Sequence, residues 1–176
     1  MKLEFPDYRN PRGIPQAPFI DSVDDLCKDI EDASELVSEL QQLFQKYQLM
    51  QAATTQRSRG LESKIPDLRK SLESVEFLMQ QKSQFKTRYE LNDTVYATAV
   101  VDPVDTVWLW LGANVMLEYP ISEAETLLKT KLEDATSGLE KCTEDLEFLR
   151  ENITTVEVNT ARVINWRVTK SKHGIK

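Results

Sequence analysis

The chain has 176 residues, 40% hydrophobic and 29% charged, with a formal net charge of -7. That size and balance fit one ordinary folded domain, and no apolar run approaches the roughly 18 residues that a membrane-spanning helix needs. The acidic excess argues against nucleic acid or an anionic membrane as a main partner, because both attract a positive field.

Residues 1–20 contain Pro6, Pro11, Pro15 and Pro18 and read as an extended N-terminal segment. Charges stand there where a secretory signal needs an apolar stretch, so the expected location is cytoplasmic. The sequons Asn92-Asp93-Thr94 and Asn152-Ile153-Thr154 are discounted on the same ground.

A first helix is expected over residues 21–88, with Asp21 or Ser22 as its N-cap and Asp24 and Asp25 in its first turn. Alternating steps of three and four pick out Val23, Leu26, Ile30, Ala33, Val37, Leu40, Phe44, Tyr47, Gln51, Thr54, Ser58, Leu61, Ile65, Leu68, Leu72, Val75, Met79 and Lys82. All but Gln51, Thr54, Ser58 and Lys82 are apolar, which is the seam of a coiled coil. Pro66 removes one hydrogen bond but leaves the register intact, so a kink is expected there rather than a domain boundary.

Residues 89–120 change character. VYATAVV and VWLWL are rich in β-branched and aromatic residues and are separated by the turn-forming pair Asp102-Pro103. Strands are expected near 94–101, 106–111 and 114–119, forming two short hairpins. A second helix over 121–170 opens with Ser122 and Glu125 at capping-box spacing and carries the seam Leu128, Leu132, Ala135, Leu139, Cys142, Leu146, Leu149, Ile153, Val156, Thr160 and Val163. A basic tail, residues 171–176, follows.

Short hairpins return the second helix antiparallel to the first. With Arg88 opposite Ser122, Val163 falls near Tyr47, the polar stretch 51–58 faces Asn152 to Asn159, and residues 22–40 project without an intramolecular partner. That projection is either a frayed end or an apolar grip on another molecule. In the strand region, Trp108 and Trp110 point one way while Val107, Leu109 and Leu111 point the other, so both faces are apolar. A small sheet cannot bury two faces alone, and cover by other chains is expected. The assembly residues are Val95, Tyr96, Val100, Val107, Trp108, Leu109, Trp110, Leu111, Val115 and Leu117.

Chemistry is sparse. His173, in the basic tail, is the only histidine and is expected to be solvated; the five glycines are scattered, so neither a catalytic triad nor a phosphate loop can be composed. Cys27 and Cys142 read as small packed residues in helical patterns. No cofactor or metal is expected, and the chain is not read as an enzyme.

The segments RYELNDTVYATAVV (88–101), VWLWLGANVMLEYPISEAE (107–125), NPRGIPQAPFI (10–20) and SKIPDLRKSLE (63–73) resemble the α class of the prefoldin family. The resemblance implies an α+β fold: a long antiparallel two-helix coiled coil whose helices are joined by two short β-hairpins that enter an oligomeric β-barrel. It also implies a heterohexamer with one further α-class and four β-class subunits. That assembly captures unfolded actin and tubulin without ATP and passes them to the cytosolic chaperonin. The family holds clients at the coiled-coil tips, which corresponds here to Val23, Leu26, Ile30, Val163, Ile164 and Trp166. Two other readings stay open on the residues alone. One is a structural coiled-coil adaptor whose hairpins only oligomerise; the other, a tRNA-gripping helical arm, is disfavoured by the acidic charge and the missing catalytic domain.

Overall fold

The computed structural model describes residues 6–173. The elements are α1 (Val23–Leu26), α2 (Ile30–Gln80), β1 (Phe85–Asn92), β2 (Val95–Val101), β3 (Thr106–Gly112), β4 (Val115–Pro120) and α3 (Ile121–His173). Residues 174–176 of the expected basic tail lie outside the described residues, as does the side chain of His173. Two compact units result: Met1–Arg59 with Leu139–Lys176, and Gly60–Gly138.

The first helix is shorter at both ends than its seam implied. At the start, α1 has 4 residues, and Ser22 makes no side-chain cap bond. The chain breaks at Cys27 because Asp29 caps a new helix: its Oδ1 accepts from the amides of Glu31 (3.0 Å) and Asp32 (2.9 Å). Asp32 Oδ2 in turn accepts from the Lys28 amide at 3.0 Å, a near relative of the capping box. At the other end α2 stops at Gln80, and residues 85–92, expected to be partly helical, pair instead as β1 with β2. Alternating Phe85, Thr87, Tyr89 and Leu91 suits a pleated strand better than a helix, and β2 supplies the partner. α2 runs on through Pro66.

Ending α2 early moves the helix pairing by about two turns. In the second unit Leu61 meets Gly138, and Glu76 lies 3.3 Å from Lys129. In the first unit Arg167 lies 3.4 Å from the Ser34 hydroxyl. Val163 therefore sits beyond Tyr47 toward the start of α2, and the stretch expected to project is covered. α3 begins at Ile121, whose amide bonds to the Asp105 carbonyl at 3.0 Å. Glu125 pairs with Lys129 (2.6 Å), where a capping bond with Ser122 was expected.

The strands form two separate antiparallel two-stranded sheets, β1–β2 and β3–β4. No closed barrel is formed among the described residues. Both hairpins carry a register shift next to the turn, between Glu90 and Asn92 and between Trp110 and Gly112. The second turns through Gly112, Ala113 and Asn114, all at positive φ (95°, 50° and 59°). Positive φ at both central residues matches the right-handed twist of a tight hairpin.

Candidate functional site

Two surfaces are built by this chain, one in each unit. In the second unit, the β3–β4 hairpin lies with one face on its own helices. Val107, Leu109 and Tyr119 pack against a core of Leu72, Val75, Ala124 and Leu128. The expectation that both faces need foreign cover is corrected for Val107, Leu109 and Tyr119, which α2 and α3 cover, whereas Leu117, opposite Leu109, stays 46% exposed. On the opposite face Trp108 and Trp110 are each 61% exposed, with Glu118 and Met116 as cross-strand neighbours. Leu111, Val115 and Leu117 are exposed as well.

The β1–β2 hairpin repeats the division. Phe85 meets Phe77 edge-on, with ring centroids 5.5 Å apart, and Ala97, Ala99 and Val101 are half-buried. Val95, Tyr96 and Val100, together with Tyr89 and Leu91 of β1, face solvent. Tyr89 and Leu91 escaped the sequence reading because they lie in the expected hairpin region, 89–120, but before the first strand expected there, at 94–101. Every outer strand edge of both hairpins is unpaired.

In the first unit the N-terminal segment is an ordered strap along α3. A turn starts it: Asn10 Oδ1 accepts from the amides of Arg12 (3.1 Å) and Ile14 (2.8 Å), and Gly13 has a φ of 84°. Four α3 residues spaced seven apart then hold it. Asp145 takes Asn10 and Arg12, and Asn152 takes the amide of Ala17. Asn159 accepts from the amide of Ile20 (3.1 Å) and donates to the carbonyl of Pro18 (2.7 Å). The Trp166 indole donates to Asp24 Oδ1 at 2.8 Å. Between these rungs Arg162 donates to the carbonyls of Ile20 and Asp21 and stands over the Phe19 ring.

A heptad step keeps all four rungs on one side of α3, next to the seam of Leu149, Val156 and Val163. Asn152 is 3% and Asn159 0% exposed; the strap satisfies both ends of the Asn159 amide and the oxygen of Asn152, whose NH2 donates to the Phe148 carbonyl of α3 at 2.6 Å. They do not face residues 51–58 as expected. Tyr47, fully buried, donates its hydroxyl to the Pro15 carbonyl at 2.9 Å, and burial pushes its phenol up to about 12. Burial also raises the Cys27 thiol, with Asp32 and Asp29 adding to the effect.

The strap changes the standing of the expected tip residues. Val23 and Val163 are buried in the unit's core, with Ala17, Ile20, Cys27, Val37 and Leu40 around them. Leu26, Ile164 and Trp166 are half-buried against it. Ile30 alone of the six is open, at 45% exposed, with Val168 similarly exposed. Buried asparagines at heptad spacing were the sequence signal for the strap. Their polarity hid them from a search for apolar seams.

Among the described residues, no helix is long and apolar enough to cross a membrane. No group of three or more His, Cys, Asp or Glu among them could hold a metal ion.

A family model described as prefoldin subunit matches residues 47–166. The chain is 51% identical over 162 residues to prefoldin subunit 3 of Elsinoe fawcettii, covering 90% of this chain and 82% of that one. It is 49% identical over 160 residues to probable prefoldin subunit 3 of Schizosaccharomyces pombe, covering 90% and 93%. It is 44% identical over 161 residues to prefoldin subunit 3 of Homo sapiens, covering 89% and 82%. In fold it is similar to a filamentous PFD from Methanocaldococcus jannaschii, solved by cryo-EM. That match has a TM-score of 0.52 and 16% identity over 65% of this chain and 95% of that one. Long helices joined by small antiparallel strands, a family match across both units and relatives near half identity lead to one conclusion: the chain belongs to the prefoldin family.

Proposed function

We propose that the chain is an α-class subunit of a cytosolic heterohexamer, with one further α-class and four β-class subunits. In that assembly its hairpins extend into a β-barrel shared with its neighbours. The assembly holds unfolded actin and tubulin without ATP and passes them to the cytosolic chaperonin. Prefoldin subunits are co-chaperones that work with one another and are not enzymes, so the protein acts by binding.

The observation that carries the assembly is the divided β3–β4 hairpin. Val107, Leu109 and Tyr119 pack on the chain's own helices, which supports the face of Trp108 and Trp110 as the one left for partners. Two indoles at 61% exposure leave on the order of 300 Å² of apolar surface in water. At 25 cal/mol per Å² that costs about 7 kcal/mol, and the unpaired strand edges add backbone groups ready for pairing. Neighbouring hairpins supply both. Client contact is assigned to the first unit around Ile30, with Leu26, Ile164 and Trp166 beside it and Val23 and Val163 as its buried support.

Replacing Trp108 and Trp110 together by serine tests assembly. Co-expressed with β-class prefoldin subunits, the variant should sediment as a free subunit while its helices stay folded by circular dichroism. A hexamer of normal size would refute the assignment. Suppression of actin aggregation by the intact assembly, weakened by Ile30→Asp, separates client holding from a purely structural adaptor.

A further inference from the structure

The strap shows what the column of α3 can recognise. Its polar contacts with residues 15–21 are all to backbone: Asn152 to the Ala17 amide, Asn159 to the Ile20 amide and the Pro18 carbonyl, and Arg162 to two carbonyls; Tyr47 of α2 adds the Pro15 carbonyl. Only Ala17, Pro18 and Ile20 bury their side chains, while Gln16 and Phe19 face solvent. Recognition of this kind depends on extended backbone and a little aliphatic surface, with almost no demand on sequence. Residues 16–22 belong to no helix or strand, and beyond the Arg9–Pro15 bridge, where the Gln16 amide donates to the Tyr8 carbonyl at 3.1 Å, no backbone ladder holds the strap in place. The segment also lies outside the stretch matched by the family model.

We propose that this column is a binding site for extended, non-native polypeptide, and that residues 15–21 are its resident occupant, exchanged when such a chain arrives. A non-native chain presents the unpaired N–H and C=O groups that the two asparagines and Arg162 read. An empty site is discouraged, because it bares the apolar seam of Val156 and Val163 to water and costs the two amides their backbone partners. Exchange of one backbone for another keeps them satisfied. The strap then acts as a threshold: the apparent affinity for a client is the intrinsic affinity reduced by the fraction of time the strap is away. The site continues along α3 to Trp166 and so adjoins the contact region assigned above, and the inference rests on that client-holding role.

The test uses the full chain assembled with its prefoldin partners and a permanently unfolded probe, fluorescent reduced and carboxymethylated α-lactalbumin. Arg12→Ala with Ile20→Asp loosens the strap without touching the column and should tighten probe binding about fivefold or more. Adding Asn152→Ala and Asn159→Ala to that background should cancel the gain. Unchanged affinity in the loosened variant overturns the proposal, as does a gain that survives loss of both asparagines. In the unmutated assembly, saturation with probe should speed hydrogen exchange at the amides of Ala17 and Ile20. Bound probe with those amides still protected overturns the strap exchange alone; absence of probe binding fails client holding as well.

Discussion

Asn159 carries two backbone partners on one side chain with no exposure, which makes it the costliest polar residue of the first unit to lose. Asn159→Ala leaves the Ile20 amide and the Pro18 carbonyl without their bonds, at about 1–3 kcal/mol for a buried orphan. Urea denaturation should show a loss of about 2 kcal/mol or more, against a few tenths for Asn165→Ala on the exposed side of the same helix. Tyr47 gives a pH signature. Its phenol titrates near 12 in the fold and near 10 when free, so stability is full below about 10 and is lost as pH rises from 10 to 12. Tyr47→Phe gives up the Pro15 bond, about 1 kcal/mol at neutral pH, yet should show a flatter melting profile across pH 10–12. A parallel alkaline decline in both proteins would contradict the assignment. In the second hairpin Ala113 sits at a φ of 50°, where an L side chain costs about 1–2 kcal/mol. Ala113→Gly should raise the melting temperature slightly, the gain trimmed by the glycine's freer unfolded chain.

At the scale of elements, the two long helices were legible because their apolar periodicity persists over many heptads, and the later strands because β-branched and aromatic residues cluster between turn signals. The boundaries were not. Asp29 accepts from the Asp32 amide and Asp32 from the Lys28 amide in the middle of what reads as a continuous seam, and periodicity alone gives no weight to a cap. Residues 85–88 lost their expected helix because a strand partner was available in 98–101, which is tertiary information. That single misreading set the helix register wrong, and with it the projecting apolar end; the tip residues had come from the family resemblance instead. The exposed hairpin face suffered less: a period of two places Trp108 and Trp110 together wherever the hairpin sits. Pro66 offers a prediction at this scale. It deprives α2 of one backbone bond and crowds the turn before it. Pro66→Ala should stabilise the second unit by about 1–3 kcal/mol. Unchanged stability would mean that the packing around Leu68 and Leu72 is tuned to the proline.

On the whole molecule, two continuous helices pass through two cores with no shared member: one centred on Tyr47, Leu149, Val156 and Val163 with the strap, the other on Leu72, Val75, Ala124 and Leu128 under the hairpins. Helix propensity transmits little over long distances, since most helical stability in proteins comes from packing of the apolar face. Damage to one core should therefore open that unit and spare the other. Leu149 is fully buried, and Leu149→Ala removes about 2–5 kcal/mol from the first core. Hydrogen exchange should rise across the strap, across α2 up to Arg59 and across α3 from Leu139 on. Amides in the β3–β4 ladder should keep their protection. The outcome bears on the proposed function, under which a first unit that opens without loosening the second could yield to clients and stay assembled. Uniform loss of protection across both units would make the chain one cooperative block, and client-driven opening would then threaten the assembly itself.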